Sequence, residues 1–298
     1  MKEQFKRLGL WLSPRIDQLH YYFNFFNWKK IDQVGTVNKQ TQILLRLKYG
    51  ELKYWNMPLP SLDEVEFRSF SQHGEDGILL YIFSLIGTTN KQVVEICAGD
   101  GVECNAANLI VNHDWHGWLF DGNAAKIQTG RAFYARHLNT LPHPPKLIHA
   151  WIDTENVNAL LTEQRLTGEI DLLSLDMDGV DYWICNALTS LTPRVIVLEY
   201  NARLGPVRAL SVPNRSNFVA QAGYWGASLA AFVQLNRRKG YRLVGCDRSG
   251  INAFFIRSGI AEDLFPEVSP EACFARSRAQ QLFELQPLPL SGQDWVEL

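Results

Sequence analysis

The chain has 298 residues, 46% of them hydrophobic and 20% charged. It is long enough for one large domain or two small ones and too apolar for a disordered, collagen-like or low-complexity protein. A net charge of −2 gives no support for a nucleic-acid partner, and no apolar run is long enough for a transmembrane helix.

The charge is uneven. Residues 1–50 hold nine Lys/Arg against three Asp/Glu, a local +6, and the other 20 basic and 28 acidic residues leave the rest at −8. Met1 to Arg7 lead into no apolar stretch and no small-residue cleavage site, so no secretory signal is expected. The segment that follows mixes helical patterning with Trp11, Tyr21, Tyr22, Phe23, Phe25, Phe26 and Trp28. A second stretch, Asn38 to Lys53, sets Ile43, Leu44, Leu47 and then Tyr54 at helical spacing. Residues 1–60 read as a helical arm, lying on a membrane surface or packed on its own domain or on another subunit of a homo-oligomer. Pro58-Leu59-Pro60 marks the boundary. Residues 61–260 form the main domain, and 261–298, with Pro266, Pro270, Pro287 and Pro289, a peripheral extension. Cys97, Cys104, Cys185, Cys246 and Cys273 form no CxxC pair and read as reduced thiols in a cytoplasmic, membrane-associated or free, protein.

From residue 67 the pattern alternates. An apolar helix over Gly77–Ile86 ends at Gly87. Strands are predicted over Gln92–Ile96, Gly117–Phe120, Lys146–Ile152, Ile170–Leu175 and Arg194–Leu198, carrying Glu95 or followed by Asp121, Asp153, Asp176 and Glu199. The intervals between these acids each fit one βα unit, so the strands form a parallel sheet covered on both faces, with the acids along its carboxyl edge. That edge is where open α/β sheets bind ligands. A helix over Ala227–Lys239 then precedes Tyr241–Cys246 and Ile251–Ile256, whose four-residue connection permits only an antiparallel hairpin.

Chemistry concentrates at the strand ends. In Glu95-Ile96-Cys97-Ala98-Gly99-Asp100-Gly101, glycines at a strand-to-helix turn let the backbone approach a ligand. A dinucleotide fingerprint would place a third glycine where Cys104 stands. Asp121, before Gly122-Asn123, can accept both ribose hydroxyls of an adenosine, or cap the next helix. Asp153 either contacts an adenine amino group or caps a helix. Asp176, Asp178 and Asp181 repel one another unless a cation, a proton or a basic substrate group joins them. They could bind Mg²⁺ or a similar cation, supply a general base, or cap the helix that follows. Glu199-Tyr200-Asn201 reaches the same pocket, and the loop from Arg203 to Gly226, with Tyr224 and Trp225 suited to stacking, reads as a lid or specificity element. Upstream, Ser71-Gln72-His73-Gly74-Glu75-Asp76 is too polar for core, although Ser71 or Asp76 could cap the buried helix.

These pieces, with the parallel core closed by an antiparallel hairpin, resemble the FkbM-type S-adenosylmethionine-dependent methyltransferases over about residues 67–257. The resemblance implies a Rossmann-like class I methyltransferase fold, a mostly parallel seven-stranded sheet with a C-terminal antiparallel hairpin. It implies methyl transfer to a hydroxyl of a carbohydrate or glycoconjugate, such as a polysaccharide or a glycosylated natural product. Cofactor contacts are expected from Gln72, His73, Glu95, Cys97, Gly99, Gly101, Asn105, Asp121, Gly122, Asn123 and Asp153, with Glu95 helping to hold the methionine ammonium. Asp176, Asp178 and Asp181 are the expected catalytic acids, and Glu199, Asn201, Tyr224 and Trp225 the acceptor contacts. Cys97 departs from the family's usual glycine. The expanded acidic cluster is similar to that of macrocin-type O-methyltransferases, where such acids hold Mg²⁺, here Asp176, Asp178 and Glu199. A nicotinamide oxidoreductase and a non-catalytic binding module are the alternatives.

Overall fold

The computed structural model describes residues 37–215, 218–221, 223–278, 280 and 292–298. Expectations for the aromatic segment before residue 37 lie outside the described residues. The chain divides into Met1–Asn38 and Lys39–Leu298, and the second unit holds the sheet.

Helices α1 (Lys39–Tyr54) and α2 (Glu75–Ile86) lead into β1 (Gln92–Ile96), α3 (Ala107–His113), β2 (His116–Asp121), α4 (Ala124–Tyr134), β3 (Lys146–His149), α5 (Val157–Glu163), β4 (Gly168–Leu175), α6 (Asp181–Ala187) and β5 (Leu191–Glu199). Then follow β6 (Leu210–Ser211), α7 (Leu229–Arg238), the hairpin β7 (Tyr241–Cys246) and β8 (Asn252–Arg257), α8 (Pro270–Arg276) and β9 (Val296–Glu297). Seven strands form one sheet in the order β3-β2-β1-β4-β5-β8-β7. The first five are parallel, and β8 pairs antiparallel with both β5 and β7. This is the expected Rossmann-like sheet with its terminal hairpin.

Strand residues divide by parity between two cores. Val94, Ile96, Leu173, Leu175, Ile196 and Leu198 pack with α5, α6, α7 and α8 on one face. Val93, Leu172, Val195 and Val197 pack with α1 to α4 on the other. Both faces are covered, which is why these strands read as unbroken apolar runs. Pro193 is tolerated inside β5 because β8 begins pairing only at Val195, so its missing N–H breaks no ladder bond there.

Helix α1 takes the alternative of a helix packed on its own domain: Gln42 is fully buried and its amide bonds Asn108, Ser69 and the His113 ring. Tyr49 meets Tyr81 edge-on at 4.9 Å. Strand β3 stops at His149 rather than Ile152, because the chain turns there into a loop held by reciprocal bonds between Asp153 and Asn156. The C-terminal extension is not wholly peripheral: Phe265, Cys273 and Phe274 are buried, and β9 pairs with β6.

Candidate active site

The chain leaves β1 toward β2 and returns on its other side at β4, so a crevice opens between the carboxyl ends of β1 and β4. The turn leaving β1 is left-handed at Cys97, Gly99 and Gly101 (φ 63°, 62° and 70°). At Gly101 a Cβ would stand 2.7 Å from Leu119 Cδ1, so glycine is required both by backbone and by space. At Gly99 the nearest atom to such a Cβ is Lys126 Nζ, 3.8 Å away, so this glycine faces room rather than packing. Asp121 locks the turn: Oδ2 accepts the Gly99 N–H at 2.9 Å and Oδ1 the Asn123 N–H at 2.7 Å. The Tyr134 hydroxyl donates to the Gly101 carbonyl.

Cys97 lies amid the acids. Burial, and then the negative charges of Asp181, Asp121, Asp176 and Asp178, push its thiol up to about 12. Asp121 ends β2, Asp176 follows β4 and Glu199 ends β5, so these acids of three parallel strands lie along one edge of the sheet.

Asp176 and Asp178 follow β4, and Glu199 ends β5. One carboxylate oxygen from each lies within 4.8 Å of the others. Glu199 is pushed up to about 11 by burial and by the negative charge of Asp176, and Asp176 is itself raised by burial. Glu199 Oε2 is buried and meets no donor among the described residues. Asp178 is the exposed member, on a left-handed backbone (φ 54°). The rim continues through the segment before α2. Gln72 Nε2 donates to Glu103 at 3.2 Å, His73 Nδ1 lies 3.4 Å from Ser249 Oγ, and Asp76 Oδ2 accepts the N–H groups of Ser69, Phe70 and Ser71.

Several expected ligand contacts are committed to the protein itself. Glu95 does not reach the crevice: it is buried, and its carboxylate accepts the Asn105 and Ala106 N–H groups and the Ser174 hydroxyl. Asn105 is likewise buried, donating to Ser174. Asp181 is buried too, its oxygens accepting the Met177 and Gly179 N–H groups, and burial raises it to about 7. It therefore pins the 176–181 loop from behind, neither capping α6 nor facing an acceptor. Asn123 caps α4 through Ala125 and Lys126, and Gly122 lies against the Trp151 ring, where a Cβ would be 2.9 Å away. Asp153, beyond the end of edge strand β3, accepts the Glu155 and Asn156 N–H groups. Asn201 is fully buried, donating to the Trp225 carbonyl and accepting the Arg203 N–H. Tyr224 is also turned inward: its hydroxyl donates to Asp294 at 2.7 Å and its ring meets Phe218 and Trp295 edge-on. Trp225 is half-buried.

Sequence reasoning passed over Asn252 and the role of Glu75. Asn252 is the register partner of Glu199 and donates to Glu75 Oε1 at 2.7 Å. Only the insertion of β8 beside β5 brings it there; the polar run around Glu75 was the available signal. A cavity of about 190 Å³ lies away from the crevice, at the end of β7, lined by residues including Val244, Arg248, Phe265 and Cys273.

No family model and no curated protein matches the chain. Among solved structures it is similar to an S-adenosylmethionine-dependent methyltransferase from Clostridium acetobutylicum, at 11% identity over 61% of this chain and 89% of that one, TM-score 0.38. It is similar also to the glycopeptide N-methyltransferase MtfA complexed with S-adenosyl-L-methionine, at 12% identity over 57% and 89%, TM-score 0.38. A third is magnesium protoporphyrin IX methyltransferase from Synechocystis with bound S-adenosylmethionine, at 14% identity over 81% and 96%, TM-score 0.37.

Proposed function

We propose that the chain is an S-adenosylmethionine-dependent O-methyltransferase whose acceptor is a hydroxyl of a sugar or glycoconjugate. The observation that carries this reading is the convergence on one crevice of the open Gly99 turn, the Asp121 carboxylate behind it and the Asp176–Asp178–Glu199 cluster opposite. The residues suit the cofactor. Gly99 leaves space for it, Asp121 keeps lone pairs for a diol, and Lys126 offers a cation near the turn. When bound, S-adenosylmethionine supplies a methyl group activated on a sulfonium. The exposed Asp178 takes the acceptor proton, while Asp176 and the protonated Glu199 hold the hydroxyl in line.

A divalent cation is the second reading of the same cluster, favoured by the orphaned Glu199 Oε2. Asp176, Asp178 and Glu199 form an all-oxygen donor set for a hard cation, which would displace the Glu199 proton and acidify the hydroxyl. The test is thermal shift with S-adenosylhomocysteine against NAD, followed by transfer of labelled methyl to oligosaccharides. Stabilisation by the former alone supports the reading, because a ligand selective for the folded state raises its melting temperature. Stabilisation by NAD alone overturns it.

A further inference from the structure

The end of the chain builds one wall beside the acidic cluster. Strand β9 pairs antiparallel with β6, and the Leu298 N–H donates to the Ala209 carbonyl at 2.9 Å. Asp294, shortly before β9, accepts the Tyr224 hydroxyl at 2.7 Å and pairs with Arg215. Three rings stand in a row: Trp295 meets Tyr224 at 4.9 Å and Tyr224 meets Phe218 at 5.5 Å, both edge-on. Phe218, at the head of the row, lies on the loop after β4. A Cβ on Gly179 would be 3.3 Å from its Cδ1 and 3.7 Å from its Cε1. Gly179 adjoins Asp178, the exposed acid of the crevice. Tyr224, expected to stack on an acceptor, is buried with its hydroxyl engaged, whereas Phe218 is only half-buried.

We propose that Phe218 is the platform for the acceptor, taking the apolar C–H face of a pyranose ring and turning its hydroxyl edge toward Asp178. This role rests on the O-methyltransferase reading and names the part of the sugar that the site holds. A pyranose carries C–H groups on its faces and hydroxyls around its rim, so it needs an apolar plane on one side and acceptors on another. The Phe218 ring has no polar atom, and the Asp176, Asp178 and Glu199 oxygens gather within 4.8 Å of one another on the loop it covers and the strand beside it. The face of an aromatic ring is negative, and C–H groups made positive by neighbouring oxygens are drawn to it. The row behind Phe218 fixes the platform: Tyr224 cannot turn away without breaking its bond to Asp294. A ring held before the sugar arrives spares the cost of ordering it on binding.

The test is saturation-transfer NMR on the full chain, with and without S-adenosylhomocysteine, using cellopentaose and chitopentaose as probes. The expected result is transfer to the ring C–H protons of at least one probe. Its affinity should fall about tenfold or more in Phe218→Ala and Phe218→Leu and stay within about threefold in Phe218→Trp. Leucine fills much of the same space on Gly179 but offers no ring face, so it would rescue a merely structural role. No binding of either probe, or wild-type affinity in Phe218→Leu, overturns the proposal. Thermal shift by S-adenosylhomocysteine is expected to be the same in every variant, and its loss in Phe218→Ala alone would place Phe218 in the cofactor site and overturn the proposal too. Absence of that shift in the wild type counts against the methyltransferase reading and absence of sugar binding against this one, so the two fail separately.

Discussion

Glu199, at the end of β5, and Asp176, just past the neighbouring end of β4, bring a carboxylate oxygen each to within 4.8 Å of one another. Glu199 keeps its proton to about 11 where the unfolded chain releases it near 4.5. Between those values the folded state binds more protons than the unfolded one, so stability falls as pH rises. Asp181, raised to about 7, adds the same sign over the lower part of that window. Melting temperature should therefore drop between about pH 6 and pH 9, and Glu199→Gln should shallow the slope by up to about 1.4 kcal/mol per pH unit. Equal slopes in wild type and variant would remove that proton from the site.

The two glycines of the β1 turn should separate folding from binding. Gly101→Ala meets both a left-handed backbone and Leu119, and is expected to cost about 2–4 kcal/mol in urea unfolding. Gly99→Ala carries only the backbone strain, about 1–2 kcal/mol, but fills the space in front of the turn. It should abolish the thermal shift by S-adenosylhomocysteine while the protein still folds.

Asp181 and Asp178 are three residues apart and should behave oppositely. Asp181→Ala strips two loop N–H groups of their buried acceptor, at a cost of about 2–4 kcal/mol. Asp178→Asn lies on the exposed rim and should leave the melting temperature within about 1 °C, since exposed substitutions stay near zero in free energy. Methyl transfer should nevertheless fall by about 10²-fold or more in Asp178→Asn. Full activity in that variant would move the base elsewhere.

Gln42→Leu tests whether α1 is integral to the domain. The change leaves Asn108 and the His113 ring without their buried partner, with an expected loss of about 2–3 kcal/mol in chemical denaturation. A loss under about 0.5 kcal/mol, the range of exposed positions, would return α1 to the status of a loosely attached arm.

Much of the fold was legible in the chain. The apolar runs of β1, β4 and β5 stand out because helices cover both faces of the sheet, and the short link between β7 and β8 admits only a hairpin. The grouping of Asp121, Asp176, Asp178 and Glu199 also followed, since parallel strands deliver their ends to one edge. What a carboxylate does there did not follow. Glu95 and Asp121 both look like ligand acids, yet Glu95 lies one residue before the end of β1 and turns into the core, where it holds the following loop by its N–H groups.

The order of residues was by itself enough to settle the alternation of strand and helix, the sense of the hairpin and the edge on which acids gather, because these depend on local periodicity and on loop length. Only the folded chain decided which acids are spent on the backbone and which face the crevice. It also brought Asn252 beside Glu199 and left Tyr224 packed against Phe218 and Trp295. Those outcomes rest on contacts between segments far apart in sequence, and a carboxylate is claimed by whichever unsatisfied N–H groups tertiary packing places next to it.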